Sequence, residues 1–383
     1  MEVPWCDHAL ASRGPLPLSL IVGSMGRLER ARAAAVCPEW RAEVRFQDAK
    51  APPPRFLGPV AAEEARAVRW SPRDDWVAVG AAATVRLLSA ATGREAPLAA
   101  PPIAQRFVSS VAFSRDGAVV AACSATAVTA WEAAEGGACL FSVHLPPEGP
   151  RRNAGKCDFG TVRSRLFATP RHLWRLRKEG DGMDAVRAFG GGFCDGVGCR
   201  FSPDGARIAV GGRDRRARVV DVETGQAVAD LPIDADDAAW SPDGGRLLTV
   251  SGGSALTWDV RGGGGGGILN ARFKDYPPGL GGACACEWSR DGRVIVTWRG
   301  TEKRFTLWTP EGAALAELDY DCAGDLPSTP DDAALALRGA SRYDRMYAEC
   351  ASFSPDSASL VALYSDAWRC HNMATFVDMD DHR

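Results

Sequence analysis

The sequence predicts a mainly β fold: a seven-bladed β-propeller of four-stranded sheets, preceded by a small three-helix module. Three observations predict it. A turn signature of the form Trp/Phe-Ser-x-Asp-Gly recurs along the chain at a spacing of about forty residues, the range of propellers and related arrays. Around each copy, short apolar runs of strand length alternate with turn residues. Between residues 15 and 46, by contrast, the apolar residues fall at helical spacing.

Residues 199–222 are the cleanest copy of the repeat. Phe201 ends one apolar run, Pro203-Asp204-Gly205 supplies the turn, and residues 207–210 form a second run. Residues 217–222 form a third, before another turn at Thr224-Gly225. That is an antiparallel meander with tight reversals. The signature returns at Trp70-Ser71-Pro72-Arg73-Asp74, Phe113-Ser114-Arg115-Asp116-Gly117 and Trp240-Ser241-Pro242-Asp243-Gly244. Two more copies follow at Trp288-Ser289-Arg290-Asp291-Gly292 and Phe353-Ser354-Pro355-Asp356. The gap between positions 113 and 201 is twice the local period, and Cys157-Asp158-Phe159, Leu166-Phe167-Ala168 and Leu173-Trp174-Arg175-Leu176 supply a degenerate copy within it, which makes seven, six and eight being the alternative counts.

Third strands are expected at 85–88, 128–131, 173–176, 218–222, 256–260, 305–308 and 368–370, with fourth strands after them, as at 139–143 and 268–273. Sheets with two apolar faces bury both by stacking radially, and a ring protects their edges. The ring needs one more outer strand, and either 56–60 or 375–379 can supply it. The glycine run at 262–267 and the excursion at 320–349 read as insertions without assigned chemistry.

The repeat resembles the WD family in a degenerate form. Trp258-Asp259 is a literal Trp-Asp ending, whereas Val220-Asp221, Trp131-Glu132 and Trp308-Thr309 depart from it. The resemblance implies a WD-repeat-like propeller whose loops bind other proteins. With five histidines in the whole chain, the buried Asp–His network of that family cannot be built in most copies, so shape filling has to carry more of the stability.

In front of the ring, residues 1–14 are irregular. Leu18, Ile21, Val22 and Met25 then mark one helix, Leu28, Arg32 and residues 33–36 a second, and Pro38 suits the first turn of a third. Ala33-Ala34-Ala35-Val36-Cys37-Pro38-Glu39-Trp40-Arg41 resembles the Ala-x-x-Val-Cys-x-x-Trp-Arg ending of the F-box, a helical module that docks a substrate receptor onto the adaptor subunit of a cullin-based ubiquitin ligase. On that resemblance, covering residues 15–46, the adaptor-binding residues are Leu18, Ile21, Val22, Met25, Val36 and Trp40. The family's Leu-Pro opening is out of register with Leu16-Pro17, and its Asp-Leu second-helix start is replaced by Glu29-Arg30. Residues 47–66, with Pro52-Pro53-Pro54 and Pro59, read as a stiff connector to a propeller spanning 67–383.

Composition narrows the function. A formal charge of −3 over 383 residues gives no global reason to expect nucleic acid or an anionic membrane as partner. No leader-like or membrane-spanning segment is read, so the expected location is cytoplasm or nucleus. The twelve cysteines are scattered, several in strand runs at Cys123, Cys199, Cys286 and Cys350, and none has metal-site spacing. No metal, cofactor or catalytic residue is expected, because no Ser–His–acid arrangement or phosphate-cradling loop stands out and the Asp-Gly pairs are turn chemistry.

Recognition is the better reading. Arg151, Arg152, Arg171, Arg213, Arg215, Arg216, Arg299 and Arg304 fall in loops that share one face of a WD-repeat propeller. Guanidinium forks there suit an acidic or phosphorylated target protein. The sequence therefore points to a substrate-recognition subunit of an SCF-type ubiquitin ligase, the alternative being a non-enzymatic scaffold without a ubiquitin link.

Overall fold

The computed structural model describes residues 60–61, 65–81, 84–100, 108–124, 126–145, 157–160, 166–169, 172–177, 183–188, 199–211, 216–233, 235–251, 254–261, 267–273, 284–299, 304–319, 347–365 and 372–379. The chain divides into one unit of Met1–Arg55 with Asp380–Arg383 and a second of Phe56–Met379, to which every described residue belongs. The expected helical module, residues 15–46, lies outside the described residues.

Among the described residues the strands pair into seven four-stranded antiparallel sheets. In chain order the first takes Ala67–Trp70, Trp76–Ala81, Thr84–Ser89 and Glu95–Ala96. The second takes Ser110–Phe113, Val119–Cys123, Ala127–Glu132 and Cys139–His144. The third, in the degenerate stretch, takes Asp158–Phe159, Leu166–Ala168, His172–Leu176 and Met183–Ala188. The fourth takes Cys199–Phe201, Arg207–Gly211, Ala217–Asp221 and Ala227–Leu231. The fifth takes Asp237–Trp240, Arg246–Ser251, Ser254–Asp259 and Ile268–Arg272. The sixth takes Cys284–Trp288, Ile295–Arg299, Arg304–Trp308 and Ala314–Asp319. The seventh takes Tyr347–Phe353, Ser359–Ser365, Asn372–Asp378 and, from the other end of the chain, Val60–Ala61.

The first strand of every sheet touches the first strand of the next, and the seventh touches the first, so the arrangement is a closed ring with these strands innermost. Closure uses the N-terminal option: Val60 pairs with Ala374 and Ala61 with Met373. Two expectations need correction here. Residues 60–61 belong to the ring rather than to the connector, and the third strand of the last sheet is Asn372–Asp378 rather than 368–370, which lie outside the described residues. Residues 375–377 therefore sit inside a third strand and not at an outer edge.

The recurring turn has a local physical cause. Ser114, Ser202, Ser241, Ser289 and Ser354 are buried. Each donates its hydroxyl to the aspartate two residues on, at 2.5–2.7 Å. Each also accepts the backbone N–H five residues on, at 2.8–2.9 Å. The aspartate accepts a further N–H two residues beyond itself. The polar groups of a reversal set against the core are thus satisfied locally. The fourth residue of the turn has a positive φ, which explains glycine at 205 (φ 73) and 244 (φ 68). Asp74 (φ 65) and Ser357 (φ 63) hold the same strained place in the first and seventh copies.

Neighbouring sheets share their core. One apolar cluster joins Val85 and Leu87 to Phe113 and Trp131, another joins Leu166 and Leu173 to Phe201 and Ile208, and a third runs through the sixth, seventh and first sheets. Trp174, Trp258 and Trp308 are buried with their indole N–H groups donating to Thr169, Thr249 and Thr297 at 3.2, 2.9 and 2.9 Å. Those buried Trp–Thr bonds need no histidine. A register shift precedes the closing position in five sheets, at Ala130/Trp131, Leu173/Trp174, Val219/Val220, Thr257/Trp258 and Leu307/Trp308, adding the local twist a bulge supplies.

Among the described residues, side chains on the inner strands also fasten several neighbouring sheets to one another. Ser110 accepts the N–H of Cys157, Asp158 that of Phe201, Asp237 that of Cys286, Glu287 that of Phe353 and Ser352 that of Trp70, at 2.9–3.4 Å.

Candidate functional site

Alternation along the inner strands sorts their residues. Trp70, Phe113, Phe159, Phe201, Trp240 and Trp288 are buried between sheets. The residue preceding each of them lies on the opposite side of its strand, and these residues, Arg69, Ala112, Asp158, Arg200, Ala239 and Glu287, line a funnel in the ring. The funnel has a volume of about 340 Å³. Its rim comes from the first turns of the sheets, where Pro72, Pro203 and Pro242 follow the buried serine and Arg115 and Arg290 replace proline in the second and sixth sheets.

The charged groups of the funnel are not all compensated. Arg69 forms an ion pair with Glu287, whose other oxygen accepts from Ser352 Oγ at 3.2 Å and from the Phe353 N–H at 3.4 Å. Desolvation is the largest influence on Arg69 and opposes its charge, but Glu287, Cys350, Asp158 and Asp237 together outweigh it, and the net pKa is raised. Asp158 turns both oxygens to backbone, accepting from Phe159 and Phe201 at 2.9 Å each. Burial nonetheless pushes its carboxyl pKa up. Arg115 reaches past the third sheet to the carbonyls of Pro203, at 2.5 Å, and Ser202 in the fourth. Its buried Nε has no acceptor. The guanidinium groups of Arg200 and Arg290 make no hydrogen bond or ion pair among the described residues. Arg290 keeps exposed surface at the rim, yet desolvation first, and repulsion from Arg69 and Arg115 after it, hold its pKa below the ordinary guanidinium value against the pull of Glu287 and Asp158. It stays a cation at neutral pH. Four guanidinium groups thus face two carboxylates in this lining.

The arginines expected from sequence lie elsewhere. Arg216 immediately precedes the third strand of the fourth sheet, is exposed, and pairs with Asp230 at 2.9 Å. Arg304, also exposed, pairs with Glu317 on the adjacent outer strand. Arg299 is a correction: it ends a second strand and is 3% exposed, so its side chain is not a free loop cation. All three flank connections between second and third strands, which in an up-and-down sheet lie at the end opposite the serine turns and hence opposite the funnel. Arg151, Arg152, Arg171, Arg213 and Arg215 lie outside the described residues, as do Leu18, Ile21, Val22, Met25, Val36 and Trp40. What sequence reasoning missed is Arg69, Arg115, Arg200 and Arg290. A signal for two of them was present, since Ser114-Arg115-Asp116 and Ser289-Arg290-Asp291 put arginine where the other intact turns but one degenerate copy carry proline.

Cys123, Cys157, Cys199, Cys286 and Cys350 are buried, and burial raises the pKa of the Cys199 thiol well above the ordinary thiol range. Among the described residues no group of three or more His, Cys, Asp or Glu side chains is arranged to hold a metal ion.

Comparison with known proteins agrees with this architecture. The WD domain, G-beta repeat family model matches residues 186–221, from the end of the third sheet's outer strand to the third strand of the fourth sheet. WD repeat-containing protein 1 of Mus musculus is 32% identical over 115 residues, and its Rattus norvegicus counterpart matches equally; the match takes 27% of this chain and spans 18% of the length of those relatives. The β-propeller domain of Myceliophteria thermophila Cps50 (Swd1) superposes with a TM-score of 0.62 at 13% identity, over 84% of this chain and 99% of that domain. At that identity the likeness is one of fold. The chain carries a WD repeat and folds as a mainly β propeller.

Proposed function

We propose that this chain is a non-catalytic substrate receptor of a cullin-based ubiquitin ligase, in which residues 15–46 dock the adaptor and the propeller selects the protein to be modified. The observation that carries it is the pairing of two parts: the Ala-x-x-Val-Cys-x-x-Trp-Arg pattern at residues 33–41 and, after it, a WD-repeat propeller. Propellers of this kind recognise proteins through their faces and loops, with chemistry supplied by partners. In this reading proximity does the work: the receptor holds a lysine of its target near the transferring enzyme. The target is acidic or phosphorylated if the loop arginines at 151, 152, 171, 213, 215 and 216 serve as its contacts. Cytoplasm or nucleus follows as the site of action.

The test uses the full chain. Co-purification with the ligase adaptor is expected, and Val36→Asp with Trp40→Ala abolishes it while the thermal transition of the propeller stays in place. Failure of the unmodified chain to retain the adaptor turns the assignment to a WD-repeat scaffold without a ubiquitin link.

A further inference from the structure

We propose that the funnel is a binding site for a small phosphate-type anion, with Arg200 and Arg290 as its free cationic ligands and Arg115 as a third, anchored one. The proposal is independent of the ligase assignment, and the funnel lies at the other end of the ring from Arg216 and Arg304. Its basis is a charge imbalance inside a concave site. Of the lining groups, Arg69 and Glu287 answer each other, and the oxygens of Asp158 point at backbone N–H groups. Arg115 spends two nitrogens on neutral carbonyls, which hold its position without cancelling its charge. Arg200 and Arg290 spend none on described residues. Arg290 is exposed and Arg200 half-buried, so both can be reached from solvent, and an entering anion supplies the counter-charge that the lining does not.

Guanidinium forks match the paired oxygens of phosphate, and three of them on one lining favour an ion with several such oxygens over a single carboxylate. The volume of about 340 Å³ is at the small end of ligand pockets, which fits a compact anion and not a folded element. The rim is preorganised for it. Arg115 is braced on the fourth sheet, and the turns pack on one another: a Cβ at Gly244 would stand 3.5 Å from Pro203, and one at Gly292 3.5 Å from Pro242. Little ordering is left to be done on binding.

The probe is pyrophosphate, titrated calorimetrically into the full chain at low ionic strength, with a phosphoserine peptide and its unphosphorylated form in parallel. Binding of pyrophosphate is expected, weakening about tenfold in Arg200→Gln and in Arg290→Gln, each a loss of about 1.4 kcal/mol, and unchanged in the outer-strand control Arg304→Gln. Arg200→Lys, which keeps the charge and loses the fork, weakens binding less than Arg200→Gln. Pyrophosphate also raises the unfolding temperature of the unmodified chain and not of the Arg200→Gln, Arg290→Gln pair. If the phosphopeptide binds with the same arginine dependence and pyrophosphate does not, the phosphoryl group is borne on a protein. If neither binds, or if binding ignores Arg200 and Arg290, the proposal is overturned. Neither outcome bears on adaptor binding.

Discussion

The third and fourth sheets are adjacent, yet they are built by different means. The fourth has the complete turn: Ser202 donates to Asp204 at 2.5 Å, accepts from Arg207 at 2.9 Å, and Gly205 takes the positive φ. The third has a two-residue inner strand, and Gly160 stands where the serine would be, its N–H donating to the Leu166 carbonyl at 2.8 Å. What the third sheet keeps is its interior. Phe159 and Phe167 meet edge to face at 5.1 Å, and Trp174 bonds Thr169. Turn chemistry and wedge packing are therefore separable modules, and a sheet can lose the first and stay in the ring on the second.

That contrast can be broken from either side. The largest effect is expected from the packing of the third sheet: Trp174→Ala removes a buried indole and should cost about 3–5 kcal/mol in denaturant unfolding. Ser202→Ala in the fourth sheet strips a buried turn of its acceptor and donor, for about 1–3 kcal/mol, and the third sheet has no equivalent to lose. If the turn variant proved costlier than the tryptophan variant, the separation of modules would be wrong. Asp158→Ala, which takes the acceptor away from the Phe201 N–H between the two sheets, should cost about 1–2 kcal/mol, whereas Asp158→Asn keeps a carbonyl there and stays within about 1 kcal/mol of the unmodified chain.

Acid sharpens the same comparison. Hydrogen bonds from Ser202 and Ser241 hold the carboxyls of Asp204 and Asp243 below their usual range, Asp243 at about 2. A depressed native pKa adds stability above the unfolded value near roughly 4 and loses it as pH falls through the native value. Thermal unfolding followed from pH 5 to pH 2 should therefore fall less steeply in an Asp204→Asn, Asp243→Asn variant. The smallest effect belongs to the surface: Arg216→Ala breaks a half-exposed pair with Asp230 and should move stability by less than about 1 kcal/mol.

The sequence made local features legible and left assembled ones hidden. Serine turns, aromatic wedges and the degenerate third copy could be read because each depends on residues within a few positions of one another. Closure could not, since both 56–60 and 375–379 offer an apolar stretch near an end of the ring and only the finished ring decides which finds a free edge. The last third strand, expected at 368–370, is Asn372–Asp378. Arg299 was read as loop because a strand boundary is hard to place within two residues. The funnel depends on residues from six sheets meeting, and each of its arginines, taken alone, is an unremarkable turn or strand residue.

Val60 and Ala61 have a consequence out of proportion to their length. A ring of sheets made from one continuous chain has a seam, and here the seam is a two-residue clasp joining the start of the Phe56–Met379 unit to residues 373–374 near its end. Every other sheet forms from neighbours in sequence, with low loop-closure entropy, whereas this one waits for the ends to meet. The clasp does not act alone, because the seventh and first sheets also meet through their shared apolar cluster and the bond from the Trp70 N–H to Ser352, so the ring is a bracelet fastened twice, once by backbone and once by packing.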